Sequence, residues 1–190
     1  MIRMAYAGLE TWPEPPVNGD EVSTLLGSLD RQRATFAWKV GGLSASQLAI
    51  GVGTSTITLG GLVKHLALVE DHYFSVRLHD HRPSAPFDSI DWVQDPNWEW
   101  SSANLDESKY LYDLWQRMVD QSRRLVSGAI ENGGLDQPLR QKWPDGRSPS
   151  LRRMLVDLIE EYARHVGHAD LIRESIDGVV GEDPPGVHGK

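Results

Sequence analysis

The chain has 190 residues, 39% hydrophobic and 24% charged, a globular composition long enough for one domain with a sizeable core. A formal net charge of −8 repels a polyanion, which argues against nucleic acid as a partner. There is no cysteine, so disulfides, thiolate metal sites and a protein thiol for catalysis are all excluded, and any metal must be held by His, Asp or Glu.

No apolar run approaches the ~20 residues of a membrane span. The opening MIRMAYAGLETWPEPP lacks the sustained apolar stretch of a secretory signal. A cytoplasmic protein with no membrane partner is therefore expected. Residues 1–19, rich in Pro and Gly, read as an extended arm, with Tyr6 and Trp12 placed to pack on the body. The body is expected over 20–178 and a flexible tail over 179–190.

Val22, Leu25, Leu26, Leu29, Phe36 and Val40 recur at threes and fours, which predicts a first helix capped by Asp20 or Asn18 and stopped by Gly41-Gly42. Arg33 falls on that apolar stripe, so it must snorkel or face a polar cavity. A second helix is expected from about Thr58, with Leu62, His65, Val69, His72 and Val76 on one stripe. Residues 81–106 then hold three prolines and three tryptophans (Trp92, Trp98, Trp100) without a helical period. Such a long structured loop is often a functional cover. Leu111, Leu114, Met118, Leu125 and Val126 predict a third helix from about Glu107 to Ile130, capped by Asp106 or Ser102. After a turn-rich stretch over 132–147, a fourth is expected from Ser148 to Ile176, with Ser148-Pro149 as cap and first-turn proline and Gly178 as stop. There is no internal repeat. Four amphipathic helices without clear strand signals predict an all-α, antiparallel-type four-helix bundle with long crossover loops.

Within the last helix, EEYARHVGHAD places Glu161, His165 and His168 at i, i+4, i+7, inside an arc of ~60°. His165 shares the buried arc with Met154, Leu158 and Ile172, and Glu161 and His168 lie on its edge. His65 sits between Leu62 and Val69 on the core stripe of the second helix. A buried carboxylate needs a compensating partner. Two core-facing histidines from separate helices, with a carboxylate one turn from one of them, can meet at a bundle axis, where helical proteins build metal sites. A core histidine is commonly a hydrogen-bonded filler, so spacing alone leaves filler and ligand evenly matched. His72, seven residues after His65, reads as a supporting or surface histidine. Asp157 and Arg164 read as a solvated salt-bridge face. The tryptophans read as packing, with Trp92, Trp98 or Trp100 available to cover a pocket mouth.

The segments TLGGLVKHLALVEDHYF and LRRMLVDLIEEYARHVGHADLIRESIDG resemble the DinB-like superfamily of four-helix proteins, in the branch related to mycothiol-dependent maleylpyruvate isomerase. LLGSLDRQRATFAWKVGGLSASQL and WPDGRSPSLR extend the resemblance over about 20–178, and the two histidine-bearing segments are its specific part. The resemblance implies a divalent-metal triad. One His comes from the second helix, matching His65, and a pair four apart on the last helix matches Glu161 and His165. Many relatives carry His where this chain has Glu161, and the isomerase type carries Glu. His168 is not at a standard ligand position; as the candidate catalytic residue it is left as a support, an alternative ligand or a proton carrier.

The function this implies is that of a divalent-metal-dependent enzyme of low-molecular-weight thiol chemistry, performing S-transfer or isomerisation on a small electrophile. The expected cofactors are zinc or nickel, together with mycothiol or another small thiol. The expected partner is a small-molecule substrate, with a homodimer left open. Two alternatives stand beside it: a non-catalytic bundle that binds a metal or small molecule, and a thiol-independent metal-dependent hydrolase.

Overall fold

The structure, a computed structural model, describes residues 12–185. Its architecture is all-α, as expected, with no strand among the described residues. Four long helices carry the core: α1 (Glu21–Val40), α3 (Leu59–Asp71), α5 (Ser108–Gly133) and α6 (Leu151–Asp177). Two short ones, α2 (Ala45–Leu48) and α4 (Trp98–Ser101), lie in the crossovers. α1 packs along α6 and α3 along α5, and α3 also touches α6 and α1.

The helix starts are written locally. Asp20 accepts a 2.8 Å bond from the Ser23 amide, and Thr58 accepts one of 3.0 Å from Gly61, each satisfying an orphan N–H of the first turn. At the far end of α6, Gly178 adopts φ +77°, a left-handed conformation that costs glycine nothing, and its amide returns to the Glu174 carbonyl. Fully buried Leu29, Phe36, Leu62, Leu66, Leu114 and Leu158 interlock at the centre, each worth ~1.5–3 kcal/mol of transfer free energy.

Several expectations shift in detail. α6 starts after Ser150, whose hydroxyl accepts from the Arg153 amide, and not after Ser148. The Ser148 hydroxyl instead donates to the Leu139 carbonyl, and Pro149 stays outside the helix with its carbonyl bound by Leu139 N–H. α5 starts after Glu107, which makes no side-chain cap, and runs on to Gly133. Beyond Asp71 the second helix widens into a π-helical segment, His72–Leu78, a form that favours functional regions.

The loop over 81–106 is structured. It includes a turn of 3-10 helix at Phe87–Ser89, then α4, then a second 3-10 turn at Ala103–Leu105. Trp12 is buried against the bundle, while Tyr6 lies outside the described residues. In the expected tail, Arg31 of α1 forms ion pairs with Glu182 and Asp183, and residues past 185 lie outside the description.

Candidate functional site

Arg33 is 2% exposed and does not snorkel. Its Nε and Nη2 donate to the two oxygens of the fully buried Glu70, at 2.8 and 2.7 Å. Tyr162 donates its hydroxyl proton to Glu70 Oε1 at 2.6 Å and accepts from Trp115 Nε1 at 3.0 Å. One residue from each long helix thus closes a saturated polar cluster in the core. Burial, then the Glu70 charge, push the Tyr162 hydroxyl well above the ordinary tyrosine range.

A second polar cluster lies beside it and is built differently. Glu70 of α3 meets Tyr162 of α6, and His65, five residues earlier on α3, meets Glu161 and His165. His65 Nε2 and His165 Nε2 each stand 3.1 Å from the same oxygen, Glu161 Oε1. The two imidazole rings meet edge to face with centroids 4.7 Å apart. Among the described residues, these three form the one group of His, Asp or Glu side chains whose donor atoms all lie within 4.8 Å of one another.

That donor set fits a divalent ion. Two imidazole nitrogens and a carboxylate oxygen are the ligands zinc and its neighbours accept without thiolate. Bonds of ~2.0–2.2 Å to one centre place adjacent ligand atoms ~2.8–3.6 Å apart for angles from ~90° to tetrahedral, and the two 3.1 Å separations lie in that range. His65 Nδ1 is also buried without a hydrogen-bond partner, unlike any atom of the Arg33–Glu70 cluster.

His168 stands outside the group of three. Its Nδ1 lies 3.3 Å from Nδ1 of His165, on the nitrogen that does not face Glu161. His72 is exposed, about two turns beyond His65, and packs edge-on to Tyr73 at 6.1 Å. Asp157 pairs with Arg153 on the outer face, and Arg164 is exposed.

The charges follow the contacts. Burial opposes the charged form of His65, yet the carboxylates of Glu99 and Glu161 outweigh it and raise its pKa. Burial, then the charge of His65, lower that of His165. Burial also works against the Glu161 carboxylate, but the bond from His65 and the charge of His165 hold its pKa below the usual carboxylate value.

The long loop supplies parts that the helical pattern did not mark. Trp100 stacks on His65 with centroids 5.0 Å apart, so it covers that ring. It comes close because Gly61 has no side chain: a Cβ there would stand 2.6 Å from the indole. Trp98 lies over the Lys64 ammonium, 4.0 Å from ring centroid to nitrogen. Between the two tryptophans, Glu99 is buried and its Oε1 lies 3.6 Å from His65 Nδ1. One turn along α3 from His65, a cavity of about 350 Å³ opens among Leu68, Val69, His72, Tyr73, Phe87 and Trp92. Among the described residues, no helix is long and apolar enough to cross a membrane.

No curated protein matches the chain. A family model does, described as mycothiol-S-transferase and matching residues 24–178, from within α1 to the Gly178 stop of α6. The match takes in both helices of the His65–Glu161–His165 cluster and the loop that covers it, and the chain belongs to the mycothiol-S-transferase family.

Proposed function

We propose that this protein is a divalent-metal-dependent enzyme of low-molecular-weight thiol chemistry, transferring mycothiol or a related small thiol to a small electrophile or using it to isomerise one. The observation that carries this reading is the convergence of two imidazole nitrogens from different helices on one carboxylate oxygen, each at 3.1 Å. Family membership supports the thiol. The lack of any cysteine fits a thiol that arrives from outside. The reading places the protein in the cytoplasm, where small thiols stay reduced.

His65, Glu161 and His165 would hold the ion, with zinc or nickel the first candidates. When bound, such an ion lowers the pKa of a thiol or water at an open position. Glu161 supplies the single negative charge of the donor set and so tunes metal preference. Once His165 Nε2 is committed as a ligand, its proton resides on Nδ1, 3.3 Å from His168 Nδ1. His168 then accepts that proton's hydrogen bond, holds the ring in place, and is the group positioned to carry a proton. Trp100 keeps water from one face of His65. The largely apolar cavity beyond Leu68 and Val69 suits the carbon body of an electrophile.

The test is turnover of a thiol with a panel of small electrophiles, run on metal-loaded and chelated protein. A rate that requires both the ion and the thiol is expected. Turnover that survives without any thiol would assign a hydrolase instead. Ligand-induced thermal stabilisation with no turnover would assign a binding protein.

A further inference from the structure

We propose that Glu99 positions His65: its carboxylate accepts a hydrogen bond from Nδ1–H and so fixes the tautomer whose Nε2 lone pair faces Glu161 and His165. This rests on the metal-binding reading of that cluster.

The loop is gripped on both sides of Glu99. Lys64, itself buried, donates to Ser102 Oγ at 2.6 Å, pairs with Asp106 and lies beneath the Trp98 ring. On the other side, Trp100 seats against Gly61 and stacks on His65. Held so, Glu99 is 9% exposed and aims its carboxylate at the far edge of the His65 ring, opposite Glu161. Glu99 Oε2 and His65 Nδ1 are both buried and lack hydrogen-bond partners, and Oε1 lies 3.6 Å from Nδ1. A shift of a few tenths of an ångström makes the bond from Nδ1–H to Oε1 and satisfies the buried Nδ1, which removes a desolvation cost. An imidazole that binds an ion through one nitrogen keeps its proton on the other, and that proton ordinarily goes to a carboxylate or carbonyl. The arrangement repeats at His165, whose Nδ1 faces His168.

The experiment measures zinc affinity of the full chain by competition with a chromogenic chelator, for wild type, Glu99→Gln and Glu99→Leu. Cobalt(II) absorption reports the coordination, and long-range proton–nitrogen NMR of zinc-loaded wild type reports the His65 tautomer. Glu99→Leu should bind zinc ~10–100-fold more weakly, still one ion per chain and with the cobalt spectrum of wild type. Glu99→Gln, whose amide oxygen still accepts a hydrogen bond, should recover most of the loss. The NMR should show His65 protonated at Nδ1, and this result stands even if Glu99→Leu does not fold. Wild-type affinity in Glu99→Leu, or a zinc-bound His65 protonated at Nε2, overturns the proposal. So does a changed cobalt spectrum in Glu99→Gln, which would make Glu99 a ligand. Zinc uptake indifferent to Glu99 removes this proposal alone, whereas a wild type that takes up no zinc removes the metal reading and this with it.

Discussion

Two polar clusters lie side by side where α3 meets α6, and they solve the problem of buried charge in opposite ways. The Arg33–Glu70–Tyr162–Trp115 cluster is at most 2% exposed, and its charged and polar side-chain atoms are hydrogen-bonded. The His65–Glu161–His165 cluster crowds two nitrogens onto one oxygen, leaves His65 Nδ1 without a bond, and opens Glu161 to 29% exposure. A saturated cluster has no donor capacity left for a ligand, so its work is to specify the packing of four helices. The unsaturated one, built on two imidazoles and a carboxylate, holds lone pairs in reserve. The difference lies both in hydrogen-bond satisfaction and in residue type, since Arg33 and Trp115 offer only N–H donors where His65 and His165 offer lone pairs.

The largest contrast should appear in stability without metal. Arg33→Met leaves the Glu70 carboxylate buried and uncompensated, and should cost ~3–5 kcal/mol, with the Arg33→Met, Glu70→Met pair recovering much of it. Glu161→Gln should shift stability by no more than ~1 kcal/mol, because that group is partly open to water. Denaturant unfolding of chelated protein checks both, and comparable losses at the two clusters would erase the distinction.

Ligand addition should act on one cluster only. Free metal at 100-fold its Kd should stabilise wild type by ~2.7 kcal/mol and leave the His65→Ala, His165→Ala double variant unmoved. Chelation should spare the helical signal, since a chain of this size has a core of its own. Loss of helix on chelation would mean that the ion organises the fold.

A smaller effect separates the roles within the open cluster. His168→Ala should weaken zinc and nickel binding by ~10–100-fold, and Glu161→Ala by more. The reverse order in parallel titrations would make His168 a ligand in place of Glu161. The least change is expected at high pH in the closed cluster. The Tyr162 pKa is raised in the fold, so its contribution is complete below the ordinary tyrosine value and is lost only as pH climbs toward the raised one. Phenolate absorbance should show Tyr162 ionising only as the chain unfolds in base.

The four helices were legible because their stripes and caps are local: Asp20, Thr58 and Gly178 each act within their own turn. The start of α6 was misread because Ser148 and Ser150 look alike in sequence, and only a bond to Leu139, nine residues back, separates them. His65, Glu161 and His165 were legible as a convergence because each falls on or beside a core stripe. Glu99 left no such mark, since a four-residue helix in a loop has no period. Arg33 on an apolar stripe hinted at the closed cluster, but its partner Glu70 is distant in sequence and known only from packing. The π-helical segment His72–Leu78 continues the apolar stripe of α3, so the sequence pattern does not separate the two.

Metal content per chain decides whether the His65–Glu161–His165 cluster holds an ion. The protein is purified without a histidine tag, incubated with zinc or nickel, desalted and analysed beside the His65→Ala, His165→Ala variant. One ion per wild-type chain and none in the variant is the expected result. Stoichiometric metal retained by the variant would contradict it, and would place the ion somewhere other than between α3 and α6.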